Sequence, residues 1–313
     1  MAFATGSPIR CVSLALAGML LVLSAAGCSD GNGEHSTTRA GPPDGARIVD
    51  VRMYQGRRWT IEGETASSVG AALAALRPTY VSGLIRFPAD KGAGSYEVTA
   101  WNKVRDALRA AVPHARISIE LNALEYPTPR SISAKMQQIR ERFDNDAWLF
   151  DFYTSAARRR PQVMAAAVAS AHDNGESIGG NAFGLASNPR IPRGTDFIAV
   201  QDSRFRIDLD AVRALSKRVP AVFFHLGNAP ALPQSDGCAW IRDLKTKDRR
   251  AYLVERAHQQ RAYGFRLEYP LFYPECAIAR RQGQRVRIYT YNATADRPVL
   301  RTIEALLDRY AGS

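Results

Sequence analysis

From residue 47 onward the chain alternates short apolar runs with stretches of helical period, and this alternation constrains the fold more than any other feature. Runs that read as strands cover Arg47–Tyr54, Tyr80–Phe87, Ala115–Asn122, Trp148–Tyr153, Ser177–Asn181, Asp196–Gln201, Ala221–Leu226 and Phe265–Tyr269. Between them fall the helical stretches Ser67–Leu76, Glu97–Ala111, Ser131–Phe143, Pro161–Asn174, Asp208–Arg218 and Asp248–Tyr263. Pro78, Pro113, Gly175 and Gly264 supply stop signals. A β-like Val286–Tyr291 and a helix over Pro298–Tyr310 follow. Strands that alternate with helices imply a parallel sheet covered by helices. Eight of them in about 265 residues predict a single (β/α)8 TIM barrel domain over residues 47–313. An open doubly wound sheet is the rival. Against it, the loop after the first strand, Gln55-Gly56-Arg57-Arg58, has no dinucleotide-binding glycine pattern.

Composition is that of a globular protein, 46% hydrophobic and 23% charged, which excludes disordered, collagen-like and disulfide-dense chains. Lys plus Arg number 42 against 30 Asp plus Glu, a net charge of +12, and only six of the 42 are lysine. The arginine bias reads either as genome composition or as the mark of an anionic partner, polysaccharide or phospholipid. Nucleic acid is not expected, because the arginines are scattered with no reading module around them.

The N-terminus reads as an address. Arg10 precedes an apolar run from Cys11 to Ala26, shorter than the ~20 residues of a spanning helix. Ala25-Ala26-Gly27-Cys28 looks like a bacterial lipoprotein box, with Ala25 where leucine is most usual. The expectation is a lipoprotein signal peptide at 1–27, lipidation of Cys28 and a flexible tether at 28–46. The protein is then exported and anchored in the bacterial cell envelope, on the outer side of the cytoplasmic membrane or at the outer membrane. Cys238 and Cys276 remain, and in an exported protein they most simply form a disulfide. The five histidines are far apart in sequence, so neither a metal site nor a cofactor is expected.

Polar residues gather at the C-terminal ends of the strands, where this architecture places its active sites. The third strand puts Ser118, Glu120 and Asn122 on one face, and the fourth ends in Asp151 and Tyr153. Asp202 follows the sixth strand, His225 ends the seventh with Asn228 beyond it, and the eighth carries Glu268. Tyr54, Arg86 and Asn181 stand at the ends of the first, second and fifth. Asp50, Arg52, Arg86 and Glu268 also read as an internal salt-bridge network. A buried carboxylate at a strand end costs free energy, and the usual reason for it is chemistry or ligand binding. Asp151, Asp202, Glu120 and Glu268 are therefore the candidate catalytic acids. Tyr54, Arg86, Asn122, Tyr153, Asn181, His225 and Asn228 are the candidate substrate contacts. Paired carboxylates without a cofactor loop or a serine nucleophile elbow favour acid–base cleavage of a sugar linkage.

Trp148-Leu149-Phe150-Asp151, Gly180-Asn181 and Thr195 through Asp202 resemble the barrel glycosidases of the endo-α-1,4-polygalactosaminidase and spherulin-4 group. The resemblance implies a catalytic pair at Asp151 and Asp202, where the family usually has Glu at the second place. It spans about a third of the chain and lends the reaction class, not the substrate. The resulting expectation is a lipid-anchored glycoside hydrolase acting on a polysaccharide, with anionic polymers among the candidates. Two alternatives stand beside it: a barrel that binds glycans without turnover, and another hydrolase or lyase acting on an anionic substrate.

Overall fold

The computed structural model describes residues 42, 45–51, 53–54, 66–82, 85–87, 106, 108–143, 145–151, 153–182, 189–201, 209–226, 244–278 and 287–311. Strand β1 runs in two pieces, Ile48–Asp50 and Met53–Tyr54, as does β2, Tyr80–Ser82 and Ile85–Phe87. Then come β3 (Arg116–Asn122), β4 (Ala147–Asp151), β5 (Ser177–Ala182), β6 (Phe197–Gln201), β7 (Ala221–His225) and β8 (Arg266–Pro270). Each pairs in parallel with the next, and β8 returns to β1 with Glu268 opposite Ile48. The sheet is closed: the chain is a (β/α)8 TIM barrel, as the alternation predicts.

The helices among the described residues are α1 (Ala66–Leu76), α2 (Pro129–Arg140), α3 (Tyr153–Arg159), α4 (Pro161–Asp173), α5 (Leu209–Ser216), α6 (Thr246–Ala262) and α7 (Arg297–Tyr310). Their starts are written locally. Thr128 Oγ1 accepts the Ser131 N–H at 3.1 Å, Ser131 Oγ accepts the Thr128 N–H at 3.2 Å, and Pro129 opens α2. Asp296 caps α7, whose Val299, Ile303, Leu306 and Leu307 form its buried stripe. Among the described residues no helix is long and apolar enough to cross a membrane.

Alternation along the strands produces two cores. Val49, Val81, Ile119, Trp148, Ile198 and Phe224 face outward and pack under the helices. Ile48, Tyr80, Leu149, Phe197, Ala199 and Phe223 face inward and fill the lower barrel. There Phe197 stacks on Phe223 at 5.9 Å and meets the edge of Tyr80 at 6.1 Å. Gly179 makes this possible, since a Cβ on it would sit 2.5 Å from the Phe197 ring.

Two aspartates tie the N-terminal ends of the strands in the same way. Asp146, just before β4, accepts the Ile117 N–H of β3 at 2.7 Å; Asp196, just before β6, accepts the Ile178 N–H of β5 at 2.8 Å. Glu176 bridges outer elements: it accepts from Arg140 of α2 at 2.6 Å and from the Trp148 indole at 2.6 Å.

One boundary difference moves a candidate residue. The fourth strand ends at Asp151, because Tyr153 already opens α3. The β-like segment near 290 is strand β10 (Arg287–Asn292), antiparallel to β9 (Phe272–Ile278) in a separate two-stranded ribbon directly after β8. Cys276 lies on β9.

Candidate active site

The inward parity of the lower core carries upward. It places Asp50 and Ser82 on β1 and β2, Ser118, Glu120 and Asn122 on β3, Asp151 on β4, Asn181 on β5, His225 on β7 and Glu268 on β8. All but Asn122 are buried, and Asn122 is half-buried. Of the four described inward acids, Asp50, Glu120 and Glu268 have no exposed surface, while Asp151 is 5% exposed at the rim.

Three of these residues meet. His225 Nδ1 lies 2.7 Å from Glu268 Oε2 and 3.2 Å from Asp50 Oδ2. The register explains the meeting: Glu268 is opposite His225 on the adjoining strand, and β1 closes the barrel on the other side of β8. With Glu268 ionised, its oxygen can only accept and Nδ1 is the donor; with Glu268 protonated, the roles reverse. Sequence reasoning paired Asp50 and Glu268 with arginines instead. Of those partners, Arg52 and the Arg86 side chain lie outside the described residues. Asp50 itself was absent from the candidate site residues. Its parity with Tyr54 was the available signal, but only barrel closure brings β1 against β8.

Glu120 and Asp151 stand on adjacent strands, offset by two residues, since Glu120 is opposite Leu149 and Asn122 is opposite Asp151. At a strand spacing of about 4.8 Å and a rise of about 3.3 Å per residue, their Cα atoms are ~8 Å apart. Asn122 faces Asp151 in register, but its amide is engaged in the following turn. It accepts the Leu124 N–H at 3.0 Å and donates to Glu125 at 2.8 Å. The backbones of Tyr54 and Arg86 are paired to each other, and Arg86 is opposite Glu120. Burial pushes the Tyr80 hydroxyl well above its ordinary pKa, against a hydrogen bond with Ser118, so it stays neutral beneath these acids.

Tyr153 is not brought to this face. It packs in the outer core against the backbone of Gly180, with its hydroxyl 2.8 Å from Thr195 Oγ1. Tyr126 and Tyr269, aromatics near strand ends, also belong to the outer core. Arg160, at the end of an arginine run, donates to the carbonyls of Leu124 and Tyr126 and holds the turn after β3. A GxSxG string, Gly175-Glu176-Ser177-Ile178-Gly179, was missed in the sequence. Ser177 opens β5 at the opposite end of the barrel and accepts from Arg116 at 2.8 Å, so it is no strand-to-helix elbow. Cys28, Asp202, Asn228 and Cys238 lie outside the described residues.

No protein-family model matches the chain, and no curated protein matches it. Among solved structures it is similar to a chitinase from Chromobacterium violaceum ATCC 12472, with 13% identity over 71% of this chain and 93% of that one and a TM-score of 0.42. It is also similar to a GH18 chitinase from Pseudoalteromonas aurantia, with 10% identity over 71% and 93% and a TM-score of 0.42. A third is the YdjI aldolase from Escherichia coli K12, with 12% identity over 86% and 92% and a TM-score of 0.44. These likenesses are distant, and the barrel assignment stands on its own strand register.

Proposed function

We propose that this barrel is an exported, lipid-anchored glycoside hydrolase that cleaves a polysaccharide by two-carboxylate acid–base chemistry. The observation that carries this reading is the placement of Asp151 and Glu120 on neighbouring strands, both inward and near the C-terminal rim. A glycosidase needs a proton donor on one side of the scissile bond and a nucleophile or base on the other, about 5–9.5 Å apart. Asp151 reaches the rim, whereas Glu120 is enclosed, and unequal surroundings of this kind separate the roles of two acids. Asp202, one residue beyond β6, is the second acid that the family resemblance names.

The purified protein is tested against a polysaccharide panel with reducing-end release as readout. Asp151→Asn is expected to fold normally and to lose at least about a thousandfold in rate, the scale of removing a proton-transfer group. Glu120→Gln and Asp202→Asn, assayed in parallel, identify its partner. Full activity in Asp151→Asn overturns the assignment. The complete enclosure of Glu120 favours one second reading, a barrel that binds glycan without turnover. Saturable glycan binding with no reducing ends released selects it.

A further inference from the structure

We propose that Asp50, His225 and Glu268, around the β8–β1 seam, form a binding site for one divalent transition-metal cation, independent of the hydrolase reading. One imidazole nitrogen and two carboxylate oxygens, from strands β1, β7 and β8, lie within 4.8 Å of one another. Ligand bonds of about 2.0–2.2 Å at tetrahedral to octahedral angles set neighbouring donor atoms about 2.9–3.5 Å apart. The observed separations from His225 Nδ1 are 3.2 Å to Asp50 and 2.7 Å to Glu268. The first already fits a coordination edge, and the second needs a shift of a few tenths of an ångström. In that step the cation takes the place of the proton between Nδ1 and Glu268, which leaves to solvent.

Two features define the ligand. Two carboxylates match a divalent charge. An imidazole beside them favours zinc or manganese over magnesium or calcium, which prefer all-oxygen shells. A separate observation points the same way. The Ser82 hydroxyl is fully buried on the inward face of β2, in register with Asp50, and has no hydrogen-bond partner among the described residues. A buried hydroxyl left without a partner is unfavourable. A cation beside Asp50, or a water molecule on that cation, would satisfy it. Below the trio, Ile48, Tyr80 and Phe223 belong to the packed lower core and fix these strands.

The test uses untagged full-length protein, treated with chelator and titrated with Zn²⁺, Mn²⁺ and Mg²⁺ by calorimetry. One equivalent of Zn²⁺ or Mn²⁺ per chain is expected, with Mg²⁺ at least about tenfold weaker. His225→Ala, Glu268→Gln and Asp50→Asn should each weaken binding at least about tenfold. His258→Ala, on the outer face of α6, should not change it. No saturable binding up to about millimolar metal overturns the proposal, as does an affinity unchanged in the three variants. If those variants do not fold, zinc-edge X-ray absorption on the wild-type protein decides. One imidazole with oxygen ligands supports the site; sulfur, or more than one imidazole, places the ion elsewhere and refutes it.

Discussion

Asp196 shows how one side chain ties two strands and responds to acid. Its Oδ2 accepts the Ile178 N–H at 2.8 Å and lies 3.1 Å from His172 Nε2. Burial raises its pKa above 3.8, against the Ile178 hydrogen bond, His172 and Arg116, which all lower it. The native protein therefore keeps this proton at pH values where the unfolded chain has lost it. Unfolding releases a proton in that window, so the Asp196 contribution is fully present below 3.8 and declines as pH rises through the folded-state value. Urea unfolding across this range should show a shallower fall of stability with pH in Asp196→Asn than in the wild type. An identical pH slope would exclude Asp196 as its source. None of this was legible beforehand, because Asp196 reads in sequence as the first residue of a strand.

Elements carry their own instructions more openly. The start of α2 is set by Thr128, Pro129 and Ser131 within four residues, with both reciprocal cap hydrogen bonds formed. Thr128→Ala should cost about 1 kcal/mol by chemical denaturation, and Thr128→Ser should restore most of it. A loss under a few tenths of a kcal/mol would mean that packing of Ile132, Met136 and Ile139 alone holds this helix. The end of β4 is the contrary case. Leu149, Asp151 and Tyr153 alternate as a strand would, yet the chain turns into helix α3 with Tyr153 against Gly180. Only the missing Cβ on a neighbouring strand admits that ring, so local periodicity overran the boundary by two residues.

At the scale of the whole molecule, closure decides both stability and site. Phe197 occupies the lower barrel between Tyr80 of β2 and Phe223 of β7, elements 117 and 26 residues away in sequence. Its truncation to Ala should cost about 3–5 kcal/mol, since the surrounding aromatic layer cannot collapse into the space. The loss should appear as a single shifted transition with an unchanged m-value. A second transition would mean that the two halves of the barrel unfold separately.

The order of strands and helices followed from the sequence alone and favoured the barrel over an open sheet. Strands buried on both faces must be apolar in runs, helices with one buried stripe must repeat near 3.6, and both patterns are local. The acids at the strand ends were legible for the same reason, as breaks in runs that should otherwise be apolar. Which of those acids share a face and meet was decided by the tertiary structure. Asp50, His225 and Glu268 come from opposite ends of the domain, and only the register across the β8–β1 seam brings them together. Local periodicity fixes which way a side chain points within its strand. It carries no information about which strand completes the circle.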